Sequence, residues 1–199
     1  MNTKDLVQGS TEWLEARSQR LTASVFGSAM GINKYQSRQK LWAELVGEAE
    51  PFTGNAMTEY GIENEPNAIF EYESWSGEFV EPSGFWTKDD WLGCSPDGLV
   101  GDMGLIECKC RFDQVPHIAI PDYYMAQMQG QMWIIDRDWC DFVSWTPDET
   151  NIWRVERSQE YIESMEALLA DFWAYVVTKE KPKRQSRPDL PDVKIERLR

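Results

Sequence analysis

The stretch Leu105-Ile106-Glu107-Cys108-Lys109-Cys110, entered through Ser95-Pro96-Asp97-Gly98-Leu99, decides how this chain is read. Side chains of a β-strand point to opposite faces in turn, so Glu107 and Lys109 share one face while Cys108 and Cys110 share the other. Gly101-Asp102-Met103-Gly104 reads as a hairpin turn that brings Asp97 back toward Glu107 and Lys109 on the neighbouring strand. An ideal two-residue turn pairs Asp97 with Cys108 and aims it at the wrong face. Convergence of the three therefore requires a one-residue slip. Pro96, which has no N–H, and Gly98 place the expected bulge beside Asp97.

Outward from this hairpin, Phe79 to Arg111 reads as a meander of short strands broken by Pro82, Gly84 and Pro96-Asp97-Gly98. Four helices are expected before it. Ser10 caps the first, Thr22 caps a second that stops near Gly31, and Ser37 opens a third ended by Gly47. The fourth runs from Asn55 to about Trp75, with Pro66 as a kink and Gly77 as its end. After the meander, Asp122 caps a helix to Ile135, and Trp139 to Trp145 and Ile152 to Val155 are two more strands. A last helix spans Ser158 to Val177, with Ile162, Met165, Leu168, Leu169, Phe172 and Val176 at helical spacing. The expected fold is mixed α/β (α+β): a small mixed central sheet flanked by helices, forming a single domain over residues 1–177. Residues 178–199, rich in Pro, Lys and Arg, are expected to be a flexible basic tail.

Composition sets the bounds. A chain of 199 residues can bury a real core, and no apolar run approaches the length that spans a bilayer. Met1-Asn2-Thr3-Lys4-Asp5 carries no signal-peptide apolar region, so a soluble cytoplasmic protein is expected. Cys94, Cys108, Cys110 and Cys140 are expected as reduced thiols. With His117 as the sole histidine and no CxxC pair, zinc and iron–sulfur sites are discounted, as are Ser- and Cys-type triads.

The net charge of −14 argues at first against a polyanionic partner. The distribution qualifies this. Residues 178–199 hold eight Lys/Arg against four Asp/Glu, and Arg17, Arg20, Lys34, Arg38 and Lys40 cluster near the N-terminus. An acidic surface broken by local basic zones confines a nucleic acid to one channel. A merely solubilising surface is the alternative.

Two carboxylates a few ångströms apart repel unless a divalent cation neutralises them, and oxygen ligands without histidine suit Mg²⁺ or Mn²⁺. Such a cation, with a lysine beside it, suits hydrolysis of a phosphodiester. Glu-x-Lys alone would more simply be a salt-bridged strand. The joint pattern with Asp97 is more specific.

Several motifs in order carry a resemblance: Trp13-Leu-Glu-Ala-Arg17, Leu21-Thr-Ala-Ser24, Gly61-Ile-Glu-Asn-Glu65, Cys94-Ser-Pro-Asp-Gly-Leu99, Glu107-Cys-Lys109 and Tyr124-Met-Ala-Gln-Met-Gln129. Together they resemble the viral alkaline exonucleases of the lambda exonuclease and YqaJ type, within the Asp…Glu-x-Lys nuclease superfamily. The resemblance implies a restriction-endonuclease-like core and a 5′-to-3′ exonuclease that degrades one strand of linear double-stranded DNA, leaving 3′ overhangs for recombination. It assigns Asp97, Glu107 and Glu65 as metal ligands, with the Cys108 carbonyl as a backbone ligand, and Lys109 as the catalytic lysine. Gln127 and Tyr124 are implied to reach the active centre. Arg17 and Ser24, with Arg20 as a neighbour, match the pocket for a terminal 5′-phosphate. The cofactor implied is Mg²⁺, replaceable by Mn²⁺, with two ions per site. The partners implied are double-stranded DNA ends, further copies of the chain in a ring-shaped homotrimer, and a single-strand annealing recombinase. Rival readings are an endonuclease or RecB-like module on the same core, and a non-catalytic DNA-mimicking protein. Gln131 shares the Tyr124 and Gln127 face of its helix, His117 reads as a loop residue, and Cys108 and Cys110 read as small hydrophobes behind the sheet.

Overall fold

The structure, a computed structural model, describes Leu6 and residues 9–199; residues 1–5, on which the signal-peptide reading rests, lie outside it. Ser10 caps α1 (Thr11–Ser18) by accepting from the Trp13 N–H, and Ser37 caps α3 (Arg38–Leu45) through the Lys40 N–H. Thr22 does not cap. It lies in β1 (Leu21–Thr22), its hydroxyl is 3.2 Å from that of Ser24, and a 3₁₀ turn then leads into α2 (Phe26–Ala29). Asn55 caps α4 (Ala56–Ser76), which runs unbroken through Pro66 to the left-handed Gly77. Only one backbone bond is lost to a proline, and tertiary packing of Ala68 and Tyr72 holds the rest.

The chain then forms β2 (Val80–Glu81), β3 (Trp86–Lys88), β4 (Leu92–Cys94), β5 (Gly98–Val100) and β6 (Gly104–Cys110). These are followed by α5 (Asp122–Ile135), β7 (Trp139–Trp145), β8 (Thr150–Glu156), α6 (Gln159–Thr178) and β9 (Ile195–Arg197). The main sheet has the order β2-β5-β6-β7-β8-β9, and a smaller one the order β1-β4-β3. Among the described residues only β6 and β7 run parallel in the main sheet, and α5 makes the crossover that parallel neighbours require.

The required slip exists, but in the turn. Val100 pairs with Gly104, so three residues, Gly101 to Met103, close the hairpin, with Gly101 at φ +53°. Gly98 then stands opposite Ile106, and Asp97 arrives level with Glu107 without a bulge at Pro96.

Two apolar layers sandwich the sheet. On one face α4 packs Ala68 and Tyr72 against Val100, Ile106, Cys108, Val143 and Ile152. On the other, α2, α5 and α6 enclose Leu105, Cys140, Phe142 and Val155. The backbones of α2 and α5 approach closely, since a Cβ on Gly27 would lie 2.9 Å from the Tyr123 Cα.

Pro121, not Asp122, occupies the cap position of α5, and Asp122 pairs instead with Arg187. This is one contact of the basic segment after α6, which lies against the body rather than hanging free. Gln185 donates to the Met30 carbonyl at 3.0 Å, β9 extends the sheet along β8, and Arg199 pairs with Glu71 at 3.0 Å. Basic side chains finding acids of the body explain the docking. All four cysteines are free thiols, with Cys108 and Cys110 packed behind the sheet as expected.

Candidate active site

Alternation along β6 turns Glu107 and Lys109 toward α5, and Glu107 is 1% exposed. Its carboxylate is held from three sides. Gln127 Nε2 donates to Oε1 at 2.7 Å, Gln131 Nε2 donates to Oε2 at 2.7 Å, and the Lys109 ammonium bonds Oε1. Gln127 and Gln131 are one helical turn apart on α5, so a single face delivers both amides. Asp97 enters from the bend before β5, where its Oδ2 accepts the Cys108 N–H at 2.7 Å.

Burial, then Glu107 and Glu65, raise the Asp97 carboxyl well above the ordinary range, against Lys109 and the Cys108 N–H. Glu65, reaching in from α4, is raised by burial and then by Glu107, with Lys109 opposing. Burial works against the Lys109 charge, but Glu107, Tyr124 and Asp97 outweigh it, and its pKa moves up. Three carboxylates thus sense one another around one lysine. Among the described residues, no three His, Cys, Asp or Glu side chains are gathered tightly enough to hold a metal ion as they stand. The donor chemistry still fits a hard divalent cation. The atoms are carboxylate oxygens, and their mutual repulsion is what a cation removes.

Tyr124 lies beneath this cluster, its ring centroid 4.8 Å from Lys109 Nζ. His117 packs edge-on against Tyr124, and its Nδ1 lies 2.9 Å from the buried Ser144 hydroxyl. It is a loop residue, as the sequence suggests, and it supports the Lys109 platform. Gln129 faces away, clamping the Glu156 carbonyl and the Ser158 N–H.

Arg17 stands at the other edge. Its guanidinium is 4.3 Å above the Trp13 ring and 3.5 Å from the Ser24 hydroxyl, and among the described residues it forms no ion pair. Burial lowers its pKa. Burial first, then Glu107, push the Cys94 thiol up, and Arg17 opposes, so the buried Cys94 is a neighbour of both the cation and the acidic cluster. Arg20 turns back to the Ala16 carbonyl at 2.8 Å, and Arg38 is buried against Asp171 and Gln185. Of the three arginines in the N-terminal basic zone, Arg17 is the one whose guanidinium faces an aromatic ring and a hydroxyl rather than a carbonyl or carboxylate.

Residues 12–138, which contain all the site residues expected from the sequence, match the YqaJ-like viral recombinase domain. The chain belongs to that family. The structure is similar to an alkaline exonuclease from Laribacter hongkongensis, with 34% identity, 85% of this chain and 94% of the other covered, and a TM-score of 0.74. The same enzyme in complex with dAMP gives 0.75. A phage-related exonuclease from Haemophilus somnus shares the fold at 18% identity, covering 80% and 94% of the two chains with a TM-score of 0.64. In sequence, a protein of Acanthamoeba polyphaga mimivirus is 24% identical over 73% of this chain, which spans 30% of that relative's length. This YqaJ-family domain is accordingly a DNA nuclease on a restriction-endonuclease-like fold.

The sequence puts Gln131 on the Gln127 face by its i+4 spacing, but its bond to Glu107 is a role only the structure shows. The bond from Trp13 to Ser95 joins residues 82 apart, and no local pattern announces it.

Proposed function

We infer that the protein is a Mg²⁺-dependent 5′-to-3′ exonuclease that degrades one strand of linear double-stranded DNA and leaves 3′ overhangs for recombination. The observation that carries this reading is Arg17, a partly buried cation that forms no ion pair among the described residues and that has Cys94 as a common neighbour with the carboxylate–lysine cluster. A guanidinium without a carboxylate beside a hydroxyl suits a terminal phosphate dianion, and its distance from the cluster sets where the strand is cut.

Glu65, Asp97, Glu107 and the Cys108 carbonyl would hold the divalent cations, which when bound would supply Lewis-acid polarisation of the phosphodiester and a lower pKa for the attacking water. Lys109 orients that water and meets the negative charge growing on the phosphoryl oxygens. Gln127 acts through Glu107, keeping the carboxylate in place while leaving one amide N–H for the water. Tyr124 supports Lys109 from below. A ring-shaped homotrimer around the DNA, a single-strand annealing partner and a cytoplasmic location complete the proposal and rest on the family resemblance. Among the described residues no helix is long and apolar enough to cross a membrane.

Digestion of linear duplexes carrying 5′-phosphate or 5′-hydroxyl ends, with Mg²⁺, tests the reading. Faster degradation from the phosphorylated end is expected, with covalently closed circles left intact. Cutting of closed circles, or release of nucleotides from 3′ ends, would sink it.

A further inference from the structure

Trp13 makes two contacts that belong to different parts of the site. Its ring lies under the Arg17 guanidinium at 4.3 Å, the two residues being one turn apart on α1. Its indole Nε1 donates to Ser95 Oγ at 2.9 Å, and that hydroxyl in turn donates to the Gly84 carbonyl at 3.1 Å. Trp13 is 9% exposed. Ser95 stands two residues before Asp97, with only Pro96 between them, and a proline's fixed φ leaves little slack. On its far side Asp97 is tied to the Cys108 N–H. The loop carrying Asp97 thus has one tether on β6 and another on α1. α1 is itself registered against β4, because β1, separated from α1 only by Gln19 and Arg20, pairs with β4 in parallel, Leu21 opposite Leu92.

We propose that Trp13 is a positioning and specificity residue that couples the Arg17 pocket to the Asp97 loop, so that engagement of the strand end also sets the carboxylate that serves the reaction. The proposal rests on the reading of Arg17 as the phosphate pocket. A ring under a guanidinium fixes its plane without neutralising it, which a carboxylate partner would do, so the cation stays available to an incoming anion. The indole N–H does separate work. It holds the Ser95 hydroxyl, and through the short Ser95-Pro96 link it fixes where Asp97 begins.

The two contacts can be cut separately. Trp13→Phe keeps an aromatic face under Arg17 and removes the N–H. Ser95→Ala removes the acceptor and leaves the ring alone. Trp13→Leu removes both. With Mg²⁺ and linear duplexes bearing 5′-phosphate or 5′-hydroxyl, kcat and KM are measured for each end, alongside a thermal melt. Trp13→Phe and Ser95→Ala are expected to lower kcat by about tenfold on both ends, with the phosphate-to-hydroxyl preference unchanged. Trp13→Leu is expected to lower kcat similarly and to shrink the preference by about tenfold, mainly through KM on the phosphorylated end. Arg17→Gln reads the pocket itself and should abolish the preference. Loss of the preference in Arg17→Gln but not in folded Trp13→Leu overturns the coupling and leaves the pocket standing. A wild type with no preference overturns both. Unchanged kcat in Trp13→Phe and Ser95→Ala together also overturns the coupling.

Discussion

Two buried carboxylates sit on adjacent strands of the same sheet and face opposite ways. Asp141 on β7, fully buried, points toward α4, where Arg154 grips it with two bonds of 2.8 Å and the Tyr72 hydroxyl adds a third of 2.7 Å. Arg154 lies in turn 3.7 Å over the Trp139 ring. Glu107 on β6 points toward α5 and also has its oxygens filled, by two neutral amides and Lys109. The hydrogen bonding is equally complete, and the charge is not. One cation faces Asp141 with no competing carboxylate among its bonded partners, whereas Lys109 is shared among Glu107, Asp97 and Glu65. The Asp141 side is built to hold α4 on the sheet. The Glu107 side keeps a surplus of negative charge where a cation belongs, and surplus charge of this kind marks chemistry rather than stability.

The largest way to test that contrast is Lys109→Ala. Removing the shared cation is expected to lower kcat by about 10³-fold or more, since its charge is needed where negative charge grows in the reaction. Binding of duplex ends, which falls to Arg17, should persist. Turnover within tenfold of wild type would overturn the role given to Lys109.

The equivalent substitution on the other face, Arg154→Met, should move stability instead. It leaves Asp141 buried without its counter-ion, and breaking a buried pair from one side is costly. Arg154 is partly exposed, which moderates the effect, so a loss of about 3 kcal/mol is expected, or roughly 6 to 12 °C in melting temperature for a domain of this size. The folded fraction should retain kcat within about tenfold. A melting temperature unchanged within 2 °C, by differential scanning calorimetry, would show the pair to be neutral.

The same contrast explains what could be read from the sequence. Glu107 and Lys109 are two residues apart, so strand alternation alone put them on one face, and Gln127 and Gln131 followed from helical spacing. The slip that brings Asp97 level with them was legible as a need but not as a place. Turn length depends on how Gly101 closes the hairpin, and Pro96 offered an equally good local explanation. Arg154 and Asp141 carry no local signal, since their pairing depends on the antiparallel register of β7 and β8. β9 was invisible for a related reason. Ile195-Glu196-Arg197 is exposed and has no apolar alternation, and it becomes a strand only because β8 has an open edge.

A third test converts the surplus charge into stability. Asp97→Asn keeps an oxygen for the Cys108 N–H and removes one member of the repelling group. Without divalent cation at pH 8, the variant is expected to be more stable than wild type by about 1 kcal/mol, while losing cleavage. Added Mg²⁺ should stabilise wild type and not the variant, because only a site that binds the cation in the folded state gains from it. A variant less stable than wild type without metal would mean that Asp97 is a structural acceptor first.

The smallest effect belongs to His117, the support under Tyr124. Burial first, then Arg111 and Lys109, push its imidazole from the ordinary 6.5 down to about 4, with Asp113 opposing. Arg111 Nη1 lies 3.2 Å from Nε2, so Nε2 must accept and Nδ1–H must donate to Ser144; a second ring proton would face a guanidinium N–H. A folded-state pKa below the unfolded one gives stability that is present above about 6.5 and lost as pH falls toward about 4. His117→Asn has a side chain that can still pair with Ser144 but does not titrate. The stability advantage of wild type over this variant should therefore shrink as pH is lowered from 7 to about 4, measured by urea unfolding at each pH. An advantage independent of pH over that interval would mean that His117 is not held neutral, and that its contact with Tyr124 supports the site by packing alone.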